Sequence, residues 1–342
     1  MNCFGDTIRL TVSGRDRGGC IIATLDGLPR GEELDIEAAW EAAQRRGSEA
    51  PSERPDVADP LIMGGLRDGR TDGEPLAAVL RVKDEAQTGL HAPRPGHEDL
   101  ALLSRDGECD YIGGAYSGRI NLAVAFAGNL CAQILARRGV RVTARVSAIG
   151  TAVGRESDFD MKRMLLDARG TGDSVGSMIE CVVEGLPAGL GRPAFGGMES
   201  RMAALVFSLP GVKGIEFGTG FGFAAMRGSA ANDQIVLRDG CVAQETNQAG
   251  GAEAGLTTGM PIVFRAAVRP SPSIGREQRS VDMDTMKEVT LRLRGRHDPC
   301  WGLAVCPAVE GAAAVCALDA LLGAVDFNTL DQAAEERSTD ET

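Results

Sequence analysis

The stretch SMIECVVEGLPAGLG, residues 177–191, contains the pattern that decides the fold. Residues 177–183 have the composition of a strand, an acidic residue followed by Gly-Leu-Pro forms a turn, and residues 197–209 have the composition of a helix. The same order occurs earlier, in a strand at 20–25, the turn DGLPRG at 26–31 and a helix at 34–46. This recurrence predicts an α/β protein with internally duplicated strand-turn-helix units, whose sheets face each other or stand side by side.

The segments around these units predict the remaining elements of a single domain over residues 1–330. Residues 121–137 repeat an apolar side chain at every fourth position and end before Gly139, which predicts a helix with one buried face. Residues 331–342 are charged, lack an apolar stripe and are expected to form a disordered acidic tail. Further strands are predicted at 7–12, 61–63, 76–82, 140–149, 214–217, 221–226, 262–268 and 289–293, and further helices at 158–169 and 308–322.

Composition limits the classes of partner. The chain has 342 residues with a formal net charge of −12 and a pI of about 4.9, which argues against nucleic acid or an anionic membrane as the main partner. An anionic small molecule would need a local cluster of arginine or lysine. The nine cysteines form no CxxC pair and only three histidines occur, so no zinc-site spacing is present. We expect reduced thiols, a cytoplasmic location and no membrane span.

Several irregular polar stretches are candidates for chemistry. The stretch GRHDPC at 295–300 groups a guanidinium, an imidazole and a carboxylate in one loop, and RPSPS at 269–273 offers hydroxyls and a guanidinium that suit an oxyanion. His97 is a candidate proton donor, and the glycines at 250–255 permit a flat ligand to approach the backbone. Each stretch taken alone also fits an ordinary surface loop, turn or core histidine.

Taken together and in order, these stretches resemble the chorismate synthase family across most of the chain. No single motif identifies the family, but ten motifs that match it in the same order do. They are RPGHED at 94–99, SGR at 117–119, DSVG at 173–176, GLPAGLG at 185–191, VKGIEFGTGF at 212–221, RGSAAND at 227–233, TNQAGG at 246–251, TTGMPI at 257–262, RPSPSI at 269–274 and GRHDPC at 295–300.

The resemblance implies a fold, a reaction and a cofactor. The fold would be a β-α-β sandwich, assembled as a homotetramer. The reaction would be the 1,4-elimination of phosphate from 5-enolpyruvylshikimate 3-phosphate to give chorismate, a lyase step of the shikimate pathway in aromatic amino acid biosynthesis. It would use reduced FMN without net redox change, and NADPH is a candidate reductant of the flavin in family members with a nicotinamide site.

The same resemblance assigns residues to roles. Asp298 corresponds to the aspartate that works with the flavin to remove the proton, and His97 to a histidine that donates one. Arg94, Arg119, Arg269 and Arg296 would supply positive charge to the phosphates and carboxylates, of which Arg94 and Arg119 would bind substrate. We expect the bound anions to raise the pKa of His97. The residues matched to FMN contacts are Ala115, Tyr116, Ser117, Gly211, Val212, Gly255, Arg269, Pro270, Ser271, Pro272, Ser273 and Arg296, and Arg46 matches an arginine of the nicotinamide site.

The sequence departs from the family pattern at several polar positions. The family's GESHG motif aligns with GRDRG at 14–18, so Arg17 replaces a catalytic histidine and can hold the leaving phosphate but cannot donate a proton at neutral pH. The family's Arg-Ser-Ser-Ala-Arg-Glu-Thr run reads AYSGRIN at 115–121, and a further arginine is Val124. The segment before RPGH reads VKD at 82–84 in place of Asn-Thr-Asp, and the phosphate-loop lysine is Arg269.

Two functions are therefore compatible with the sequence. The first is a divergent, working chorismate synthase in which Asp298 and His97 carry the chemistry and Arg17 acts electrostatically. The alternative is a catalytically impaired or re-purposed homologue that binds flavin or another anionic ligand without turnover. The intact GRHDP and RPGH motifs favour the enzyme.

Overall fold

The computed structural model of the protein describes residues 2–15, 19–45, 57–81, 91–109, 111, 113–154, 158–238, 240–293, 295 and 297–339, with backbone only at 241 and 325–339. Seven α-helices occur in these ranges: α1 Ile36–Ala43, α2 Asp99–Asp106, α3 Asn121–Ala136, α4 Asp158–Thr171, α5 Met198–Phe207, α6 Gly228–Ala231 and α7 Gly302–Thr339. Short 3-10 helices include Gly114–Tyr116, Gly118–Ile120 and Gly220–Ala225.

Ten of the strands form two five-stranded antiparallel sheets. The first has the order β1-β2-β3-β7-β4, with β1 Cys3–Phe4, β2 Arg9–Gly14, β3 Cys20–Asp26, β4 Leu61–Gly64 and β7 Leu76–Arg81. The second has the order β11-β16-β10-β8-β9, with β8 Arg141–Ile149, β9 Ala152–Val153, β10 Ser177–Glu184, β11 Val212–Phe217 and β16 Ile262–Val268.

The other strands form four small two-stranded hairpins. They are β5 Leu66–Arg67 with β6 Arg70–Thr71, β12 Ile235–Arg238 with β13 Cys241–Gln244, β14 Ala252–Glu253 with β15 Leu256–Thr257, and β17 Gln278–Asp282 with β18 Lys287–Leu291.

The predicted duplication is confirmed, and it extends to individual hydrogen bonds. In the first unit the hydroxyl of Thr71 donates to Pro29 O at 2.5 Å and accepts from Glu32 N at 2.9 Å. In the second unit Thr257 donates to Pro187 O at 2.7 Å and accepts from Leu190 N at 2.8 Å. Both threonines are buried, and each ties the Gly-Leu-Pro turn of its unit to a hairpin that precedes the next long strand. The repeated sequence pattern therefore specifies a repeated three-dimensional unit.

The core lies between the two sheets, where α3 and α7 pack on each other. Helix α3 contacts β3 of the first sheet, α7 contacts β8 and β10 of the second, and α1 and α5 flank them. The layers are thus sheet, helices and sheet, which confirms the β-α-β sandwich. Helices α3 and α7 cross at Gly128 and Gly311, where a Cβ on Gly128 would overlap the backbone of Gly311.

Two helical segments, 118–136 and 302–324, are long and apolar enough to span a membrane by length and composition. Most of each hydrophobic segment is buried inside the protein, with 61% and 83% covered. Both segments belong to the central helix pair just described, and their apolar character is accounted for by the core.

Some sequence predictions were wrong. Residues 221–226, expected to be a strand, lie largely in the 3-10 helix Gly220–Ala225, and Phe221 there is exposed. Helix α7 begins at Gly302, before the predicted start at 308, and ends at Thr339, beyond the predicted end at 322. Helix α2 and the strands β12, β13 and β17 were not predicted.

The helix crossing yields a stability prediction. We expect Gly128→Ala to lower the free energy of unfolding by about 1–3 kcal/mol, because the added methyl group must separate two closely packed backbones. Gly170→Ala is the matched control, since a Cβ at this helical glycine meets nothing within 4 Å. It should raise stability by up to about 1 kcal/mol through helix propensity. Urea denaturation measures the free energy of unfolding of both variants. An equal change in this free energy at the two positions would contradict the close helix crossing.

Candidate active site

The loop before α2 is fixed by a buried ion pair. Asp99 has no exposed surface and accepts hydrogen bonds from Arg94 N at 2.8 Å, Arg94 Nε at 2.7 Å and Arg94 Nη2 at 2.6 Å. Burial opposes ionisation of Asp99, but the hydrogen bonds from Arg94 outweigh it and hold the pKa of Asp99 below its usual value. The guanidinium of Arg94 is itself largely buried. This pair therefore sets the shape of the loop that carries His97.

His97 has a defined tautomer because its two ring nitrogens face different partners. Nδ1 lies 3.2 Å from Pro95 O, which can only accept, so Nδ1 carries the proton. Nε2 lies 3.0 Å from Ser273 Oγ and accepts from that hydroxyl. Burial and then the charge of Arg94 lower the pKa of His97 to about 4. The protein's own groups therefore favour a neutral ring at pH 7, and the expected rise in the pKa of His97 would have to come from bound anions.

The loop 269–273 packs directly on the histidine loop. Arg269 Nη1 donates to Gly96 O at 2.9 Å, and a Cβ on Gly96 would press against the Arg269 guanidinium and Pro272. Gly96 has a φ of 73°, a conformation that favours glycine. On the other side, Ser174 Oγ donates to Ser271 O at 2.7 Å. A guanidinium, hydroxyls and an imidazole therefore converge where the two loops meet.

The loop that carries Asp298 joins the same region through residues 172–175. Val175 N donates to Pro299 O at 2.8 Å, and Asp298 is half-buried near the thiol of Cys300, whose pKa is raised by burial. His297 Nε2 lies 3.1 Å from Leu293 O and so carries the proton, while its Nδ1 is buried without a hydrogen-bond partner among the described residues. The loop thus places the His297 imidazole against Gly275, with the half-buried Asp298 as the next residue of the same loop.

The segment 115–119 reaches this region through Trp301, which sequence reasoning missed. A Cβ on Gly118 or on Gly211 would collide with the Trp301 ring, and Trp301 Nε1 donates to Pro210 O at 3.1 Å. Arg269 N donates to Gly211 O at 2.9 Å, which connects the Trp301 contact to the loop 269–273. The available signal was position, since Trp301 immediately follows GRHDPC and is one of two tryptophans in the chain.

The remaining predicted residues are placed less uniformly. Tyr116 is partly exposed, and its hydroxyl accepts from Arg105 Nη1 at 2.7 Å. Ser117 caps the 3-10 helix Gly118–Ile120, because its hydroxyl accepts a hydrogen bond from Arg119 N. Val212 is buried at the start of β11, and Pro270 lies against Gly176. Gly255 packs instead against Gly191 and Gly197, and its carbonyl accepts from Met198 N at the start of α5. The predicted residues outside the described ranges are Arg17, Arg46 and Arg296.

The stretches 94–99, 115–119, 269–273 and 295–300 therefore lie together. The contacts between them run through backbone groups and half-buried side chains, so the arrangement belongs to the fold. The assembled groups are an imidazole, a carboxylate, hydroxyls and guanidinium groups, which suit binding of a phosphorylated anion and proton transfer beside it.

The His97 environment yields a pH prediction. Because the pKa of His97 falls from 6.5 to about 4 on folding, the unfolded chain binds the proton first. The stability that neutral His97 contributes is complete above pH 6.5 and is lost as the pH falls toward 4. NMR titration should show the His97 ring titrating near pH 4, and His97→Gln should flatten the decline of unfolding free energy between pH 6.5 and 4. His91→Gln, at an exposed histidine, is the control and should leave the part of the decline that depends on His97 in place. Titration of His97 near 6.5 would contradict the structure.

Comparison with known proteins agrees with these observations. The family model for chorismate synthase matches residues 8–322. The chorismate synthase of Thermococcus kodakarensis is 38% identical over 343 residues, which cover 93% of this chain and 97% of the relative. That of Aeropyrum pernix is 36% identical over 351 residues, with 93% and 92% covered. A solved structure described as a crystal structure of chorismate synthase has a TM-score of 0.74, 23% identity and 93% coverage of both chains, and supports the fold. The chain belongs to the chorismate synthase family.

Proposed function

We propose that the protein is a chorismate synthase, a lyase that eliminates phosphate from 5-enolpyruvylshikimate 3-phosphate to form chorismate. The observation that carries the proposal is the meeting of four distant polar stretches, 94–99, 115–119, 269–273 and 295–300, at one place in the fold. Family members named for this activity match over nearly the whole chain, so a non-catalytic homologue is not favoured.

Reduced FMN is the proposed cofactor, and the residues present suit its phosphate. The loop 269–273 contains the half-buried guanidinium of Arg269 and two serine hydroxyls, the donor types that bind phosphate oxygens. When bound, the reduced flavin would supply electron density while the C–O bond to phosphate breaks. The residues proposed to hold it are Ala115, Tyr116, Ser117, Gly211, Val212, Arg269–Ser273 and Arg296. Gly255 is kept from the family match, although its contacts within this chain are with the α5 start.

Asp298 is the proposed base and His97 the proposed acid. The ring C–H proton would pass to the Asp298 carboxylate as the C–O bond to phosphate breaks and the new double bond forms. His97 can deliver a proton from Nε2 only after that nitrogen is protonated. A phosphate placed near Ser273 would favour this form, because its negative charge offsets the nearby positive charge of Arg94.

The arginines divide into positioning and binding roles. Arg94 is bound to Asp99 and is therefore proposed to orient the His97 loop more than to contact substrate. Arg119 and Arg269 are the proposed partners of the substrate carboxylates and phosphates, and Arg17 the proposed electrostatic partner of the leaving phosphate. We further propose a homotetramer in the cytoplasm, with NADPH and Arg46 as candidates for flavin reduction.

The role of Asp298 is tested by Asp298→Asn. Turnover should fall at least about 100-fold, because a positioned proton acceptor contributes about 10²–10⁴ in rate, while FMN affinity should stay within about threefold. Asp284→Asn is the control, since Asp284 is exposed and pairs with His91. Anaerobic phosphate release from the shikimate ester with reduced FMN is the readout. Turnover by Asp298→Asn at the parental rate would show that another group is the base.

A second variant examines the replaced histidine. Arg17→His restores the residue type of the family motif and should raise turnover several-fold if the ancestral proton-donating position survives. Arg17→Lys is the control, since it keeps the positive charge without adding a titratable donor near neutral pH. An unchanged or lower rate in Arg17→His, together with activity retained by Arg17→Lys, would show that the pocket uses the positive charge itself.

A further inference from the structure

The hairpin of β17 and β18 connects two loops of the candidate site along the chain. It lies between the loop 269–273 and the loop 295–300. Just before β17 begins, Gly275 O accepts a hydrogen bond of 2.9 Å from Arg292 Nε, which lies just after β18 ends. This bond closes the base of the hairpin. The hairpin therefore starts and ends in the candidate site.

The tip of the hairpin contacts a third part of the site, the segment that leads into the His97 loop. Met283 N donates to His91 O at 3.0 Å. The side chains of Asp284 and His91 also pair at 3.0 Å, but both are exposed, and such a pair contributes little in water. The position of the tip therefore depends on backbone contacts more than on this ion pair.

Closer to its middle, the hairpin holds one peptide bond of the His97 loop. Ser280 Oγ donates to Pro93 O at 2.5 Å, and both residues are half-buried. The amide of the same peptide bond, Arg94 N, donates to Asp99 Oδ2 at 2.8 Å. The C=O and N–H groups of a trans peptide bond point in opposite directions. Ser280 and Asp99 therefore form a clamp that holds the plane of the Pro93–Arg94 peptide bond from both sides.

The clamped peptide bond lies at the start of the turn that presents His97. His97 N donates to Arg94 O at 3.2 Å, and the Arg94 side chain is fixed by Asp99. The charged groups that act on the His97 ring are Arg94 and Asp99 of its own loop and Arg269 of the loop that packs on it. A rotation of the clamped bond would move Arg94 and the turn, and the ring would move with them.

We propose that Ser280 is a positioning residue for His97 and acts through the Pro93–Arg94 peptide bond. This inference rests on the proposed function, in which His97 is the acid. Ser280 is bonded to the peptide carbonyl, so its effect on the imidazole is indirect. Without the Ser280 hydroxyl, the carbonyl loses its partner on the hairpin, and only Asp99 continues to hold the bond.

NMR titration of the ligand-free, full-length protein tests the clamp. In Ser280→Ala the pKa of His97 should rise by about 0.5–1 from its value of about 4, because a looser loop admits water to the ring and lets Arg94 move away. Ser280→Thr keeps a hydroxyl and should retain the parental pKa. Thr290→Ala, the control, removes an exposed hydroxyl from the other strand of the hairpin and should also retain it.

Turnover separates a positioning role from a merely structural one. With the shikimate ester and reduced FMN, Ser280→Ala should lower kcat about 5–20-fold and leave KM within about threefold, because a misdirected proton donor slows the chemical step more than it weakens binding. Ser280→Thr should recover most of the parental kcat, and Thr290→Ala should retain all of it.

The outcomes distinguish the clamp from the proposed function. An unchanged pKa of His97 in Ser280→Ala, or an equal rise in Thr290→Ala, would overturn the role of Ser280, while turnover by the parent protein would leave the elimination reaction in place. A parent protein without turnover would overturn the proposed function, and the pKa comparison would still decide the clamp. If Ser280→Ala does not fold, Ser280→Thr and Ser280→Val, which have the same shape and differ in the hydroxyl, give the same decision.

Discussion

The close approach of α3 and α7 at Gly128 and Gly311 is the constraint on which the arrangement of this molecule depends. Two further contacts show what it controls. Trp301 contacts Gly118, which lies just before α3. Ten residues further along each of the two chain segments, about 15 Å of helix, Gly311 contacts Gly128. Equal offsets require the two helices to run in the same direction, with their N-terminal ends together. The loop 295–300 and the segment 115–119 each lead directly into one of these ends, so the crossing holds two parts of the site at a fixed separation.

The duplicated units explain why such a crossing exists. Each half of the chain contains one such unit together with one sheet and one central helix, and each unit fastens its Gly-Leu-Pro turn with a buried threonine in an equivalent hydrogen-bond pair. Neither helix could bury its apolar surface within its own unit alone, because one side of each faces the other unit. The site lies at the ends of these helices and uses loops from both units. Fold stability and site assembly therefore depend on the same interface.

The sequence predicted the duplicated framework well, since its long strands and helices have strong local patterns. Its predictions were wrong where tertiary contacts determine the local secondary structure. Residues 221–226 alternate like a strand, but Glu216 and the residues around Thr219 wind them into a 3-10 helix that leaves Phe221 exposed. The site was predicted by family resemblance, because no local pattern brings residues 94–99 next to 269–273. The neutral state of His97 could not be foreseen either, since it depends on burial and on the position of Arg94.

The 115–121 segment has charged neighbours on one side and uncharged neighbours on the other. On the Trp301 side the segment joins loops rich in guanidinium groups, where the electrostatic potential suits phosphate and carboxylate groups. On the other side, Ala115, Ile120 and Val124 face a cavity whose described walls carry no charge. One short segment can thus border both the proposed anion site and a largely apolar cavity wall, because side chains on opposite faces of a helical turn experience different surroundings.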